Sequence, residues 1–141
     1  MRRGIFLLPV LLLSSLPQYT IAQEIIVNPN LSSEGIRLNA LRAIFSMRLR
    51  SWPDGTPVQV FVMDDEARIH VSFTKQKLDV FPHQLRYFWD RLVYSGTGQA
   101  PTKVDSEQEM LKMVAATPGA IGYLTEEMID NSVQILDLKS Q

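Results

Sequence analysis

The sequence predicts an α/β fold: a central mixed sheet of about four strands flanked by four to five helices. The stretch Ala116-Thr117-Pro118-Gly119-Ala120-Ile121-Gly122-Tyr123-Leu124 carries most of that prediction. Met110, Leu111, Met113 and Val114 precede it at helical spacing, so a helix runs into the segment and must stop there. Pro118-Gly119 supplies the stop, because proline cannot extend the hydrogen-bond ladder and glycine takes the dihedrals of a reversal. Ala120 to Leu124 then reads as a short buried strand, and Gly122 within it marks a close approach by another group. A helix delivered straight into a core strand is an α/β unit, and the remaining elements hang on it.

The first residues stand apart from the fold. Arg2-Arg3 is a basic start, Ile5 to Leu16 an apolar run of secretory length, and Thr20-Ile21-Ala22 ends in small residues suited to cleavage. Residues 1–22 are therefore read as a cleaved signal peptide and 23–141 as one domain, exported to a bacterial periplasm. The absence of cysteine fits that compartment better than a disulfide-stapled scaffold, and it excludes thiol nucleophiles and thiolate metal sites. Of the 14 basic residues two fall in the leader, leaving 12 against 15 acidic residues. That balance offers no general attraction for nucleic acid or an anionic membrane.

In chain order, residues 24–28 are a β-branched run and a first strand, closed by Pro29. Ser33 is placed as the N-cap of a helix over residues 34–47, with Ile36, Ala40, Leu41, Ile44 and Phe45 on its apolar face. Arg37, Arg42, Arg48 and Arg50 read as a solvated face rather than a basic stripe. Pro53-Asp54-Gly55 is turn chemistry, and Trp52 beside it is expected to pack back on Phe45. Residues 58–63 are almost wholly apolar and form a central strand. The next stretch gives two signals. Asp64-Asp65-Glu66 crowds acid where a helix dipole favours it, yet Ile69, Val71 and Phe73 alternate with polar residues at strand period.

Pro82 opens the clearest helix, with Leu85, Phe88, Trp89, Leu92 and Val93 as its buried face. Ser95-Gly96-Thr97-Gly98 ends it as a C-cap and loop; no strand precedes it and no Gly-Lys-Ser/Thr follows, so it is not a phosphate-binding P-loop. Ser106-Glu107-Gln108-Glu109 is a capping box opening the helix that reaches Ala116. After the pivotal strand come a short acidic turn over residues 126–131, a last strand over 133–138 and a frayed tail.

The chemistry-bearing residues form no catalytic constellation, so no enzyme, cofactor or metal is expected. His70 and His83 lie on different elements without the three or four convergent ligands a metal needs. Asp64-Asp65-Glu66 lacks the alternating oxygen ligands of a calcium loop. No nucleophile elbow, dinucleotide fingerprint or HExxH motif occurs.

Several segments taken in order resemble the phosphate-class periplasmic solute-binding proteins of ABC importers. They are Ile25-Ile26-Val27-Asn28, Leu41-Arg42-Ala43-Ile44-Phe45 with Trp52 beyond it, Phe88-Trp89, and Val114-Ala115-Ala116-Thr117-Pro118-Gly119-Ala120-Ile121-Gly122-Tyr123. The resemblance implies a type II periplasmic-binding fold in which two α/β lobes close over an anion, and this chain matches the second lobe alone. It also implies a helix, rather than a strand, over residues 66–78. The family's phosphate-holding arginine aligns with Met63, and its Gly-Ser-Gly-Thr helix start with Glu66, Ala67, Arg68 and Ile69, so no family ligand carries over. The remaining ligand-binding candidates are Asn28, Ser32 and Ser33 beyond the hinge-crossing strand, and Arg68.

These readings lead to a single-lobe solute-binding-protein-like domain with a degenerate phosphate site, acting as a binding or protein-interaction module. Its expected partners are a periplasmic or inner-membrane transporter or sensor, with phosphate or another oxyanion bound weakly if at all, and no nucleic acid. The alternative is a true oxyanion binder that completes its cleft as a homodimer.

Overall fold

The computed structural model describes residues 15–17, 21–32 and 34–140. The cleavage region up to Thr20, apart from residues 15–17, and the expected cap Ser33 lie outside them. Among the described residues, no helix is long and apolar enough to cross a membrane.

Five strands form one mixed sheet: β1 (Gln23–Val27), β2 (Gln59–Val62), β3 (Thr102–Lys103), β4 (Ala120–Thr125) and β5 (Gln134–Ile135), in the order β3-β2-β4-β1-β5. β2 pairs in parallel with both β3 and β4, whereas β1 runs antiparallel to β4 and β5. The expected four strands become five because β3 is only two residues long, too short to leave a period-2 signature. Both of its residues are exposed at the sheet edge. The central strand β4 is buried along its first five residues, in agreement with its continuous apolar run.

Four helices cover the sheet: α1 (Leu38–Phe45), α2 (Arg68–Phe73, continued by a π-helical turn Thr74–Leu78), α3 (Pro82–Ser95) and α4 (Glu107–Ala116). A short 3₁₀ turn spans Glu126–Met128. The core joins Leu41, Ile44 and Phe45 of α1 to Ile69 and Phe73 of α2, Leu85 and Trp89 of α3, Met110 and Val114 of α4, and the inner strands. Its centre is aromatic. Phe73 stacks on Tyr123 with centroids 4.2 Å apart, and Phe45 tilts against Phe73 at 4.9 Å.

The Pro118-Gly119 reversal is observed. Gly119 has φ +76°, and a Cβ there would stand 2.1 Å from the Pro57 carbonyl oxygen. The close approach at Gly122 is also observed: a Cβ would meet Met110 Sδ at 2.5 Å, so the missing side chain lets α4 settle on β4. Ser106 caps α4, its Oγ accepting the Glu109 N–H at 3.1 Å. The helical reading of residues 66–78 holds, because Ile69 and Phe73 share a buried face at i, i+4 while Val71 is only half-buried.

Other expectations need correction. The first helix starts at Leu38 with Arg37 as its N-cap, not at Ser33. Residues 34–37 are drawn out because Ile36 donates its N–H to the Asp137 carbonyl and accepts one from Lys139, each at 2.8 Å. The same bridge, Ile36 to Leu138, ties the tail that was expected to fray. Trp52 anchors differently than expected, donating its Nε1–H to the Gly119 carbonyl at 2.9 Å. On α3 only Leu85 and Trp89 are buried, whereas Phe88 and Val93 remain exposed. The arginines of the first helix and its exit make separate local contacts: Arg42 to Leu78 and Asp79, Arg48 to Ser46, and Arg50 to Met47 and Thr97.

Candidate functional site

β2, β3 and β4 point their carboxyl ends to one edge of the sheet, the edge where open α/β sheets place their ligands. β2 leaves the sheet there through Met63-Asp64-Asp65-Glu66-Ala67 and enters α2. Ala67 offers no side-chain oxygen as an N-cap, so Asp64 orders the turn instead. Its Oδ1 accepts the Glu66 N–H at 3.0 Å, and its carbonyl accepts the Ala67 N–H at 3.0 Å. The Glu66 hydrogen bond, then Lys103 with its Nζ 3.4 Å from Oδ2, holds the Asp64 carboxyl below the ordinary carboxylate range.

Asp65 turns inward to a fork-on-fork pair with Arg86 of α3. Nε lies 2.8 Å from Oδ2 and Nη2 3.0 Å from Oδ1. The Asp65 hydrogen bonds raise the Arg86 guanidinium above its ordinary value, and the group lies 5.1 Å over the Trp89 ring. Arg86 and Lys103 are thereby engaged with carboxylates, whereas among the described residues Arg68 is not.

Behind the pair sits His70, buried at 1% exposure. The Tyr123 hydroxyl accepts the Met63 N–H at 2.8 Å and shares a hydrogen bond with His70 Nδ1, 2.5 Å away. Nε2 has no hydrogen-bond partner among the described residues and faces Asp65 Oδ1 at 3.9 Å. Burial lowers the His70 pKa against the opposing attraction of Asp65, and burial pushes the Tyr123 phenol up. At neutral pH the imidazole is uncharged, and it adds no positive charge to the edge.

The four ligand-binding candidates do not converge. Arg68 stands exposed at the first position of α2, with no ion pair among the described residues. Asn28 follows β1, which runs the other way, so it lies at the opposite end of the sheet, about a strand length or ~15–20 Å from this edge. Its side chain is buried and fully used: Nδ2 donates to the Val114 and Ala115 carbonyls, both at 3.1 Å, and Oδ1 accepts the Asn30 N–H at 3.0 Å. Asn28 therefore ties off the end of α4. Ser32 is exposed beside a groove of about 310 Å³ lined by Ile36, Ile44, Leu49 and Trp52, and Ser33 lies outside the described residues.

The Met63–Tyr123–His70 chain and the Asp65–Arg86 pair were not legible in the sequence. Tyr123 is 53 residues from His70, and Arg86 is 21 residues from Asp65. The acidic triplet at the strand exit is the one local signal, and it reads equally well as an ordinary helix start. Among the described residues, no group of three His, Asp or Glu side chains could hold a metal.

No family model matches the sequence, and no curated protein matches it. Solved structures do. An ABC-type phosphate transport receptor from Vibrio cholerae superposes with TM-score 0.64 at 17% identity, over 85% of this chain and 48% of that one. A protein assigned as a phosphate ABC transporter substrate-binding protein from Clostridium perfringens, with phosphate bound, gives 0.67 at 16%, over 85% and 47%. PstS from Borrelia burgdorferi gives 0.63 at 17%, over 84% and 47%. The chain spans about half the length of the structures it matches. These likenesses establish a fold and nothing finer: the chain is folded like one lobe of these phosphate receptors.

Proposed function

We propose that this chain is an exported, periplasmic binding module on the phosphate-receptor lobe scaffold, whose anion grip has been replaced by internal pairing. It engages a protein partner, a transporter or a sensor, through the edge around the β2–α2 turn, and it performs no catalysis. The observation that carries this reading is the use made of charge there. Arg86 and Lys103 are matched to Asp65 and Asp64, and Glu66 offsets Arg68, so the edge presents no surplus positive charge. An oxyanion approaching the start of α2 meets one cation unpaired among the described residues, Arg68, beside the carboxylates of Asp64, Asp65 and Glu66.

A second reading, an oxyanion binder that completes its cleft by pairing two copies, is favoured by Arg68 alone. That side chain is exposed beside the free backbone N–H groups of the first turn, and a second copy would have to supply the remaining donors. Isothermal titration calorimetry with inorganic phosphate separates the two. The interaction module gives no saturable heat, whereas micromolar affinity, about −8 kcal/mol, would establish the binder. Sedimentation run alongside reports whether binding requires dimerisation.

A further inference from the structure

Helix α3 carries a wider apolar face than the core covers. Tyr87 and Tyr94 are 60% and 88% exposed, and Phe88 and Val93 remain open beside them. Tyr87, Arg91 and Tyr94 recur at i, i+4 and i+7, which sets them in one outward stripe. Between this stripe and the exit of α1 runs a groove of about 650 Å³, lined by Tyr87, Phe88, Arg91 and Tyr94 on one side and by Ser46 and Arg48 on the other.

The groove is cationic on a chain whose formal net charge is −1. Arg91 lies 5.6 Å over the Tyr87 ring, and Arg48 donates from Nε to Ser46 Oγ at 3.1 Å. Neither arginine has a carboxylate within ion-pair distance among the described residues. Asp90, the acid in the groove lining, leans instead toward Arg86 at 3.9 Å.

We propose that this groove docks an acidic segment of a partner protein, whose carboxylates pair with Arg48 and Arg91 while an apolar side chain packs on Tyr87, Phe88 and Tyr94. Tyrosine and arginine are the residue types that concentrate binding energy at interfaces. Here ring stacking and the Ser46 hydrogen bond already restrain both guanidinium groups, which lowers the ordering cost of capture. Charge selects the occupant. A second copy related by a two-fold axis would set this positive groove against itself, and two arginines on a net-acidic chain fall short of the field a nucleic acid requires. No residue of the groove belongs to the β2–α2 edge, so the proposal stands whether or not that edge holds an anion.

The test is an NMR titration of the full, ¹⁵N-labelled chain with two synthetic amphipathic peptides that share their apolar residues, one bearing glutamates and the other lysines. The glutamate peptide should shift amides within residues 46–48 and 87–97, and its binding should weaken severalfold as salt is raised. Arg91→Glu, at an exposed position that leaves the rest of the spectrum in place, should weaken it about tenfold or more, and Tyr94→Ala comparably. Equal shifts from both peptides, shifts elsewhere, or none from either would overturn the proposal. Concentration-dependent shifts of these same amides without peptide would also overturn it, and would assign the surface to a second copy.

Discussion

At the scale of single residues, Tyr123 is where the core and the candidate site meet. One face of its ring stacks on Phe73, and its hydroxyl joins the strand exit at Met63 to the buried imidazole of His70. Tyr123→Phe keeps the stack and strands one buried partner, His70, and one half-buried one, the Met63 N–H, so it should cost about 1–3 kcal/mol in urea unfolding. Asp65→Asn breaks a charged fork that is partly open to solvent, and a loss of about 1 kcal/mol is expected once screening is allowed for. His70 makes stability depend on pH. Its pKa is lowered in the folded chain, so in the window below about 6.5 the unfolded chain binds more protons and stability rises with pH. That contribution is complete above the ordinary histidine value and is lost as pH falls toward the lowered one. Urea midpoints should therefore be higher at about pH 7.5 than at about pH 5.5, and His70→Gln should flatten that part of the difference. An unchanged slope in the variant would remove His70 from the account.

At the scale of elements, α4 and β4 form the joint on which the rest is set. Gly122→Ala would drive a methyl group into Met110 Sδ and cost about 1–3 kcal/mol, and pairing it with Met110→Ala should return less than the sum of the two losses. Ser106→Ala removes the α4 cap and should cost about 1 kcal/mol. Both features were legible in the sequence because they are local: a serine three residues before a glutamate, and a glycine inside an apolar run. Pro82 at the start of α3 and Gly96 at its left-handed end were legible for the same reason. What escaped depends on distant chain. Arg37 rather than Ser33 starts α1 because the tail at Asp137 and Lys139 holds Ile36 extended. Phe88 and Val93 keep helical spacing with Leu85 and Trp89, yet among the described residues they stay exposed. The ligand-binding candidates were separated by strand direction, which sequence pattern does not encode. β1 runs against β2 and β4, and this puts Asn28 at one end of the sheet and Arg68 at the other.

At the scale of the whole molecule, the chain has the fold of about half of several solved phosphate receptors, and the proposed lack of an anion grip rests on the charges where β2 enters α2. The sheet order β3-β2-β4-β1-β5 brings the carboxyl ends of β2, β3 and β4 to the edge where α2 begins. Two ion pairs lie within that edge, Asp64 with Lys103 and Asp65 with Arg86, and Glu66 and Arg68 stand exposed beside them. An edge whose Arg86 and Lys103 are paired within the chain is, in the proposed reading, suited to presenting a surface, and the cationic groove along α3 adds a second face. The most direct test of this account is an NMR titration of the chain with millimolar inorganic phosphate at constant ionic strength, read at the amides of Arg68, Ile69 and His70. The account predicts that these signals stay in place. A saturable, site-specific shift confined to the first turn of α2 would contradict it.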